Sequence, residues 1–188
     1  MSKKILLFSG DPNSINSEII FKSFKHLSSS IKKKIYIISN YQLLKEQFKK
    51  LKFSQKIVKV NSIDDLKKSD KIKILDIKIK YKNVFKISKK NNSYFLQQAL
   101  NLSHKLSLNK KVAGFINCPI NKNLLKKKNI GLTEIFAKKR KVKKNSEVML
   151  IRNNKIAVSP MTTHVNLKDV SKKINQLLIL RKISTLNK

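Results

Sequence analysis

Three short polar segments hold the side chains best suited to chemistry: residues 10–18, 117–122 and 160–164. The first opens Gly10-Asp11-Pro12-Asn13, a turn sequence found in many folds. The second contains Cys118-Pro119, a pair that can simply end a strand. The third runs Pro160-Met161-Thr162-Thr163-His164. A histidine can hold a metal or move a proton near neutral pH, yet a lone one is more often a cap or a core residue. A catalytic zinc needs about three protein ligands, so His164 cannot make such a site by itself. His26 and His104 fall within predicted helices without acidic or histidine neighbours at ligand spacing, and read as surface residues. Cys118 is the only cysteine, which excludes an intrachain disulfide and fits a reducing compartment.

The elements that must position these segments follow from hydrophobic periodicity. Residues 4–9 form an apolar run that ends in Gly10-Asp11-Pro12, a strand entering a turn. Ser17 can cap a helix carrying Ile20, Phe24 and Leu27 on one face. Residues 35–39 make a second strand, 41–51 a helix through Leu44, Phe48 and Leu51, and 57–60 a third strand. Apolar and charged residues alternate over 72–79, which suggests an exposed or edge strand. A polar loop over 80–92 leads to Ser93 as the cap of a helix with a Phe95, Ala99, Leu102 and Leu106 stripe. Residues 112–116 read as a buried strand. A hairpin pairs 148–151 with 156–159 across Arg152-Asn153-Asn154-Lys155, and a last helix starts near Leu167 with Val170, Ile174, Leu177 and Leu178 on one side. Strands alternating with helices predict an α/β fold, a sheet with helices on both faces. The loops after its strands carry the chemistry. No repeat or linker divides the chain, so residues 1–188 are expected to form a single α/β region.

Composition narrows the function classes. The formal charge is +34, but of 44 basic residues only Arg140, Arg152 and Arg181 are arginine. Lysine, isoleucine and asparagine, whose codons are AT-rich, together fill 84 of the 188 positions, while glycine is scarce. Genome-wide codon bias yields such a chain without selection for a polyanion. The lysines are also spread through nearly every segment, and no nucleic-acid-binding signature accompanies them. Solvated lysine-rich surfaces are therefore preferred over a nucleic-acid partner. No run approaches the ~20 apolar residues of a membrane span, and the apolar stretch after Lys4 is too short for a signal-peptide core. A cytoplasmic protein without a membrane partner is expected.

The order of the polar segments carries a resemblance. Gly10-Asp11-Pro12-Asn13-Ser14-Ile15-Asn16-Ser17-Glu18 resembles the GDPAGIGPE segment of the 4-hydroxythreonine-4-phosphate dehydrogenases. Pro119-Ile120-Asn121-Lys122 is similar to their PINK segment, and Gly131-Leu132-Thr133-Glu134 to their GHTE segment. The run from Val158 through Thr162-Thr163-His164 to Leu167-Lys168-Asp169-Val170 matches their strand, TTH and helix start, the most specific of the four motifs. Together they span Gly10 to Val170.

The resemblance implies a fold related to isocitrate and isopropylmalate dehydrogenases and a homodimer with active sites near the subunit interface. It implies NAD-dependent oxidation of 4-phosphooxy-L-threonine, a small phosphorylated amino acid, followed by loss of carbon dioxide to give 3-amino-2-oxopropyl phosphate in pyridoxal phosphate biosynthesis. It also implies a divalent metal (zinc, magnesium or cobalt) held by three histidines at the substrate hydroxyl. The cation would ease alkoxide formation and then stabilise the enolate. His164 matches the first metal-binding histidine, and Thr133 the threonine of the substrate-binding histidine-threonine pair. Leu132 stands where that pair has histidine, and Ser14 and Asn16 replace glycines of the first motif. The family's other two metal histidines and its phosphate-binding residues belong to a C-terminal half with which nothing here aligns. The expected protein is thus a truncated dehydrogenase, inactive or nearly so by itself. The alternatives are a non-catalytic fragment serving as a structural or partner subunit and, third, a basic nucleic-acid-binding protein.

Overall fold

A computed structural model describes residues 3–65, 71–125, 132–140, 147–162 and 165–187; for Thr133 and Glu134 the description is limited to the backbone. It divides into two compact units, residues 1–129 and 130–188.

The first unit is built on five parallel strands. β1 (Lys4–Phe8) lies between β2 (Ile35–Ser39) and β5 (Val112–Asn117), and β4 (Ile72–Asp76) lies between β2 and β3 (Ile57–Val60). Each parallel step needs a crossover, and right-handed crossovers fix the layers. From β1 the chain moves one way along the sheet through α1 (Asn16–His26), the single turn α2 (Ser29–Lys32) and α3 (Tyr41–Lys50). It returns the other way to β5 through α4 (Lys89–Ser107), which must therefore cover the opposite face. Side-chain packing agrees. Ile20 and Phe24 of α1 and Leu44 and Phe48 of α3 pack with Ile35, Ile37, Ile72, Ile74 and Cys118. The alternate position Phe8 meets Phe95 of α4 at a ring separation of 6.5 Å. The expected sheet with helices on both faces is present.

Several local expectations are corrected. Ser17 does not cap α1: it is buried inside the helix, and the amide of Asn16 meets the Ser14 hydroxyl instead, at 3.3 Å. β4 is no edge strand. It is interior, and the alternating charge reflects Lys73, whose side chain is fully buried. Its Nζ donates to the Lys32 carbonyl at 3.0 Å and lies 5.1 Å from the centre of the Tyr36 ring, so the ammonium is solvated by protein groups. β5, expected to be buried, is instead the edge strand, with Ile116 57% exposed. α4 starts before Ser93. Ser88 is its cap, accepting from the Asn91 amide, while the Ser93 hydroxyl donates to the Leu124 carbonyl at 2.6 Å. The buried stripe of α4 is consequently Asn92, Phe95, Leu96, Ala99, Leu100 and Ser103, with Leu102 and Leu106 at its margin. Asn40 caps α3 as an N-cap asparagine should, accepting from the Leu43 amide at 2.8 Å.

The second unit contains α5 (Leu132–Lys139), a hairpin of β6 (Ile151–Arg152) and β7 (Ala157–Val158), α6 (Val170–Lys173) and α7 (Gln176–Leu186). The expected hairpin forms, but its strands are only two residues long and Arg152, expected in the turn, is paired with Ala157; Asn153 closes the turn by accepting from the amides of Lys155 and Ile156, both at 2.8 Å. The single last helix is broken: a 3-10 turn at Leu167–Asp169 leads into α6, and Asn175 restarts the chain as the cap of α7. No helix among the described residues is long and apolar enough to cross a membrane.

Candidate functional site

The chain turns in opposite directions from β1, toward β2 on one side and toward β5 on the other. The crevice between β1 and β5, at their carboxyl ends, is the switch point where ligands of such sheets bind. The loops that meet there are residues 9–15 and 118–121, which hold the first two of the motifs.

Gly10 fixes the geometry. Its φ is +72°, a left-handed conformation that suits glycine. A Cβ built on it would fall 2.4 Å from both Asn16 Nδ2 and the Pro119 carbonyl oxygen, so the space is closed as well. Tight closure lets the two loops bond directly. The Cys118 amide donates to the Phe8 carbonyl at 2.9 Å, and the Pro119 carbonyl accepts from the Asp11 amide at 3.1 Å. Asn16 adds a second donor to the same carbonyl at 2.8 Å. At a position where the family motif has glycine, this chain thus carries a side chain that staples one loop to the other.

Asp11 is the centre of the cluster. It is buried, and its Oδ1 accepts from Asn92 Nδ2 at 2.7 Å and from the Asn13 amide at 2.9 Å. Asn13 exchanges two hydrogen bonds with the backbone of Ile87, at 2.8 and 2.9 Å. Buried Gln47 donates to the carbonyls of Pro12 and Val84, at 2.9 and 2.7 Å. Loop 77–88 is therefore part of the construction. Sequence reasoning missed that role, although Asn13, Gln47 and Asn92, polar residues beside apolar ones, were a usable signal. The Oδ1 atoms of Asn16 and Asn92 are buried without a hydrogen-bond partner in the structure. Most buried polar atoms are paired, so these two oxygens are exceptions within the cluster.

Cys118 lies in the same neighbourhood, buried in the α1–α3 core, and burial pushes its thiol up to about 11. A thiol held protonated is a poor nucleophile and a poor metal ligand, so its place is structural. After Pro119, the Asn121 side chain accepts from the Asn123 amide at 3.0 Å and caps the 3-10 turn Lys122–Leu124.

The remaining candidates belong to the second unit. His164 and Thr163 lie outside the described residues, as do residues 126–131; Leu132 and Thr133 open α5. His26 and His104 are in the last turns of α1 and α4. Those helix ends lead back to the starts of β2 and β5, the edge of the sheet opposite the loops, so neither histidine can join a site at the switch point. Among the described residues no group of three or more His, Cys, Asp or Glu side chains could hold a metal ion.

Fold and loops define the class first: a parallel α/β protein whose candidate site lies where the strand order reverses. Comparison with known proteins then narrows it. The family model described as pyridoxal phosphate biosynthetic protein PdxA matches residues 30–188, and the chain belongs to that family. A 4-hydroxythreonine-4-phosphate dehydrogenase of Sulfurihydrogenibium sp. (strain YO3AOP1) is 30% identical, with 98% of this chain and 57% of the relative covered. The enzyme of that name from Aquifex aeolicus (strain VF5) is 28% identical over 100% of this chain and 58% of its own length. A crystal structure of the Klebsiella pneumoniae 4-hydroxythreonine-4-phosphate dehydrogenase superposes with a TM-score of 0.82 at 21% identity, over 97% of this chain and 57% of that one. At that identity the likeness speaks for the fold. The chain thus spans a little over half the length of the relatives it matches.

Proposed function

We propose that this chain contributes the amino-terminal part of an enzyme that oxidises 4-phosphooxy-L-threonine with NAD and decarboxylates the product to 3-amino-2-oxopropyl phosphate, in pyridoxal phosphate biosynthesis. The family match across residues 30–188 carries the reading. Within it, Thr133 would touch substrate and His164 would be this chain's one contribution to a divalent metal site; the chain would work in the cytoplasm, as a homodimer or with a polypeptide equivalent to the remainder of its relatives. The strongly positive charge would favour the encounter with a phosphorylated substrate.

A metal of this kind makes a substrate hydroxyl easier to deprotonate and stabilises an enolate. The donor set of this chain does not fit a three-histidine site. Two of its three histidines sit at the wrong edge of the sheet, and the described residues offer no substitute trio. No step of the reaction is therefore assigned to this chain alone.

The test is NADH formation from 4-phosphooxy-L-threonine, NAD and a divalent metal. The purified chain by itself should form none above background. Adding a separately expressed polypeptide covering the rest of the Sulfurihydrogenibium relative should produce NADH, and His164→Ala should abolish it. Substantial turnover by the chain alone would overturn the view that its site is incomplete. Silence in both arms would count against the enzymatic reading.

A further inference from the structure

The residues of β5 are those of a buried strand, yet the strand stands at an edge. Val112-Ala113-Gly114-Phe115-Ile116-Asn117 holds no charge, in a chain with 44 lysines and arginines. The opposite edge is guarded. β3 is four residues long, and Lys59 lies exposed within it, its Nζ 2.7 Å from Asp76. A short strand with an exposed lysine is a common way to keep an edge from recruiting another strand. β5 lacks that protection.

The sheet face at β5 is open as well. Register pairs Ile5 with Gly114 and Leu7 with Ile116, so these four positions share the face that α1 and α3 cover at β2 and β4. That cover stops short of β5. A Cβ built on Gly114 meets no atom within 4 Å, Ile116 is 57% exposed, and Ile5 and Leu7 are only half-buried. Parallel sheets ordinarily have both faces covered. The backbone is turned to suit. The Cys118 amide donates to the Phe8 carbonyl, and backbone groups alternate along a strand, so the amide of Asn117 points away from β1, toward the outer edge.

An uncharged edge beside an uncovered apolar face is the form a sheet takes where it is to be continued. A second copy of this chain would bring another +34 charges to the contact, which disfavours it. The relatives offer a better occupant. This chain covers 57% and 58% of their lengths, which leaves room in them for further strands with crossover helices. We propose that β5 is the docking edge for the polypeptide that completes the enzyme. An uncharged strand of that partner pairs along β5, and an apolar helix face covers Ile5, Leu7, Gly114 and Ile116. The proposal rests on the reading above that a second polypeptide completes this chain, and adds where the two meet.

The partner in the test is the separately expressed remainder of the Sulfurihydrogenibium relative, with association followed by sedimentation velocity at about physiological salt and without substrate. A saturable 1:1 complex is expected. Ile116→Lys and Gly114→Lys should each weaken it at least about tenfold by placing a charge in the contact, while Lys59→Gln on the other edge should change nothing. Both lysines enter space that is open in the chain alone, and urea unfolding of each variant checks that its fold is kept. Hydrogen exchange of the Asn117 amide should slow in the complex. A complex that resists both substitutions, or that leaves Asn117 unprotected, would overturn the docking edge and leave the enzymatic reading standing. No complex at all would overturn both. A complex made through β5 that forms no NADH would uphold the edge and count against the enzymatic reading. Self-association of the parent chain that Ile116→Lys abolishes would overturn the proposal in favour of a second copy.

Discussion

Among the described residues every buried hydrophobic side chain belongs to residues 1–129; in residues 130–188 the one buried side chain is Lys182, whose Nζ donates to the Glu147 carbonyl at 3.1 Å. The first unit closes a core on both faces of a sheet, so its strands can be fully parallel and its helices need little intrinsic propensity. The second has a hairpin of two-residue strands and an 11-residue helix, elements that are marginal without a surface to pack on. Its helix α7 leaves Leu177, Leu180 and Ile183 about half exposed. The same composition thus yields a self-supporting body in one region and an apolar surface in the other. The loops of the first region, packed on that core and bonded to one another, can hold a fixed geometry.

Mutations can break this contrast. The largest effect is expected for Ile37→Ala, which empties a position of zero exposure in the central strand and should cost about 3–4 kcal/mol in denaturant unfolding of the first unit. Comparable losses from Leu177→Ala would mean the second unit has a core of its own. Gly10→Ala should follow at about 2–3 kcal/mol, because positive φ and overlap with Pro119 act together. Proteolysis within loop 9–15 would report the same damage locally.

Cys118 gives a pH-dependent term of intermediate size. Its thiol is raised from 9.0 to about 11, so the folded state holds the proton more tightly than the unfolded chain does. That contribution, at most about 3 kcal/mol, is complete below pH 9 and is lost as pH rises toward 11. Cys118→Ala should flatten the stability profile between those values relative to the parent, and the parent thiol should resist alkylation at pH 8 until the protein unfolds. The smallest effect is expected for Leu180→Ser on α7, within about 0.5 kcal/mol, accompanied by greater solubility measured by light scattering.

The sequence disclosed most where periodicity and turn chemistry agreed. β1, β2, α3 and β3 stand within a residue of expectation, because each is a short apolar run between turn residues. Burial was harder to read. Lys73 made an interior strand look exposed, since nothing local announces that the Lys32 carbonyl and the Tyr36 ring will receive its ammonium. The apolar run of β5 concealed an edge position, because strand order is a long-range property. Of the candidate site, the meeting of the Gly10 and Pro119 loops was legible from their places after strands. The Asp11–Asn92 and Gln47–Pro12 bonds were not, because they join residues 81 and 35 positions apart.

The most direct test of the central claim, that this chain carries the family's amino-terminal architecture without a complete metal site, is a cobalt(II) titration of the purified chain followed by visible absorption. No saturable site dependent on His164 is expected. A stoichiometric, tightly held cobalt with an intense ligand-field spectrum that vanishes in His164→Ala would contradict the account.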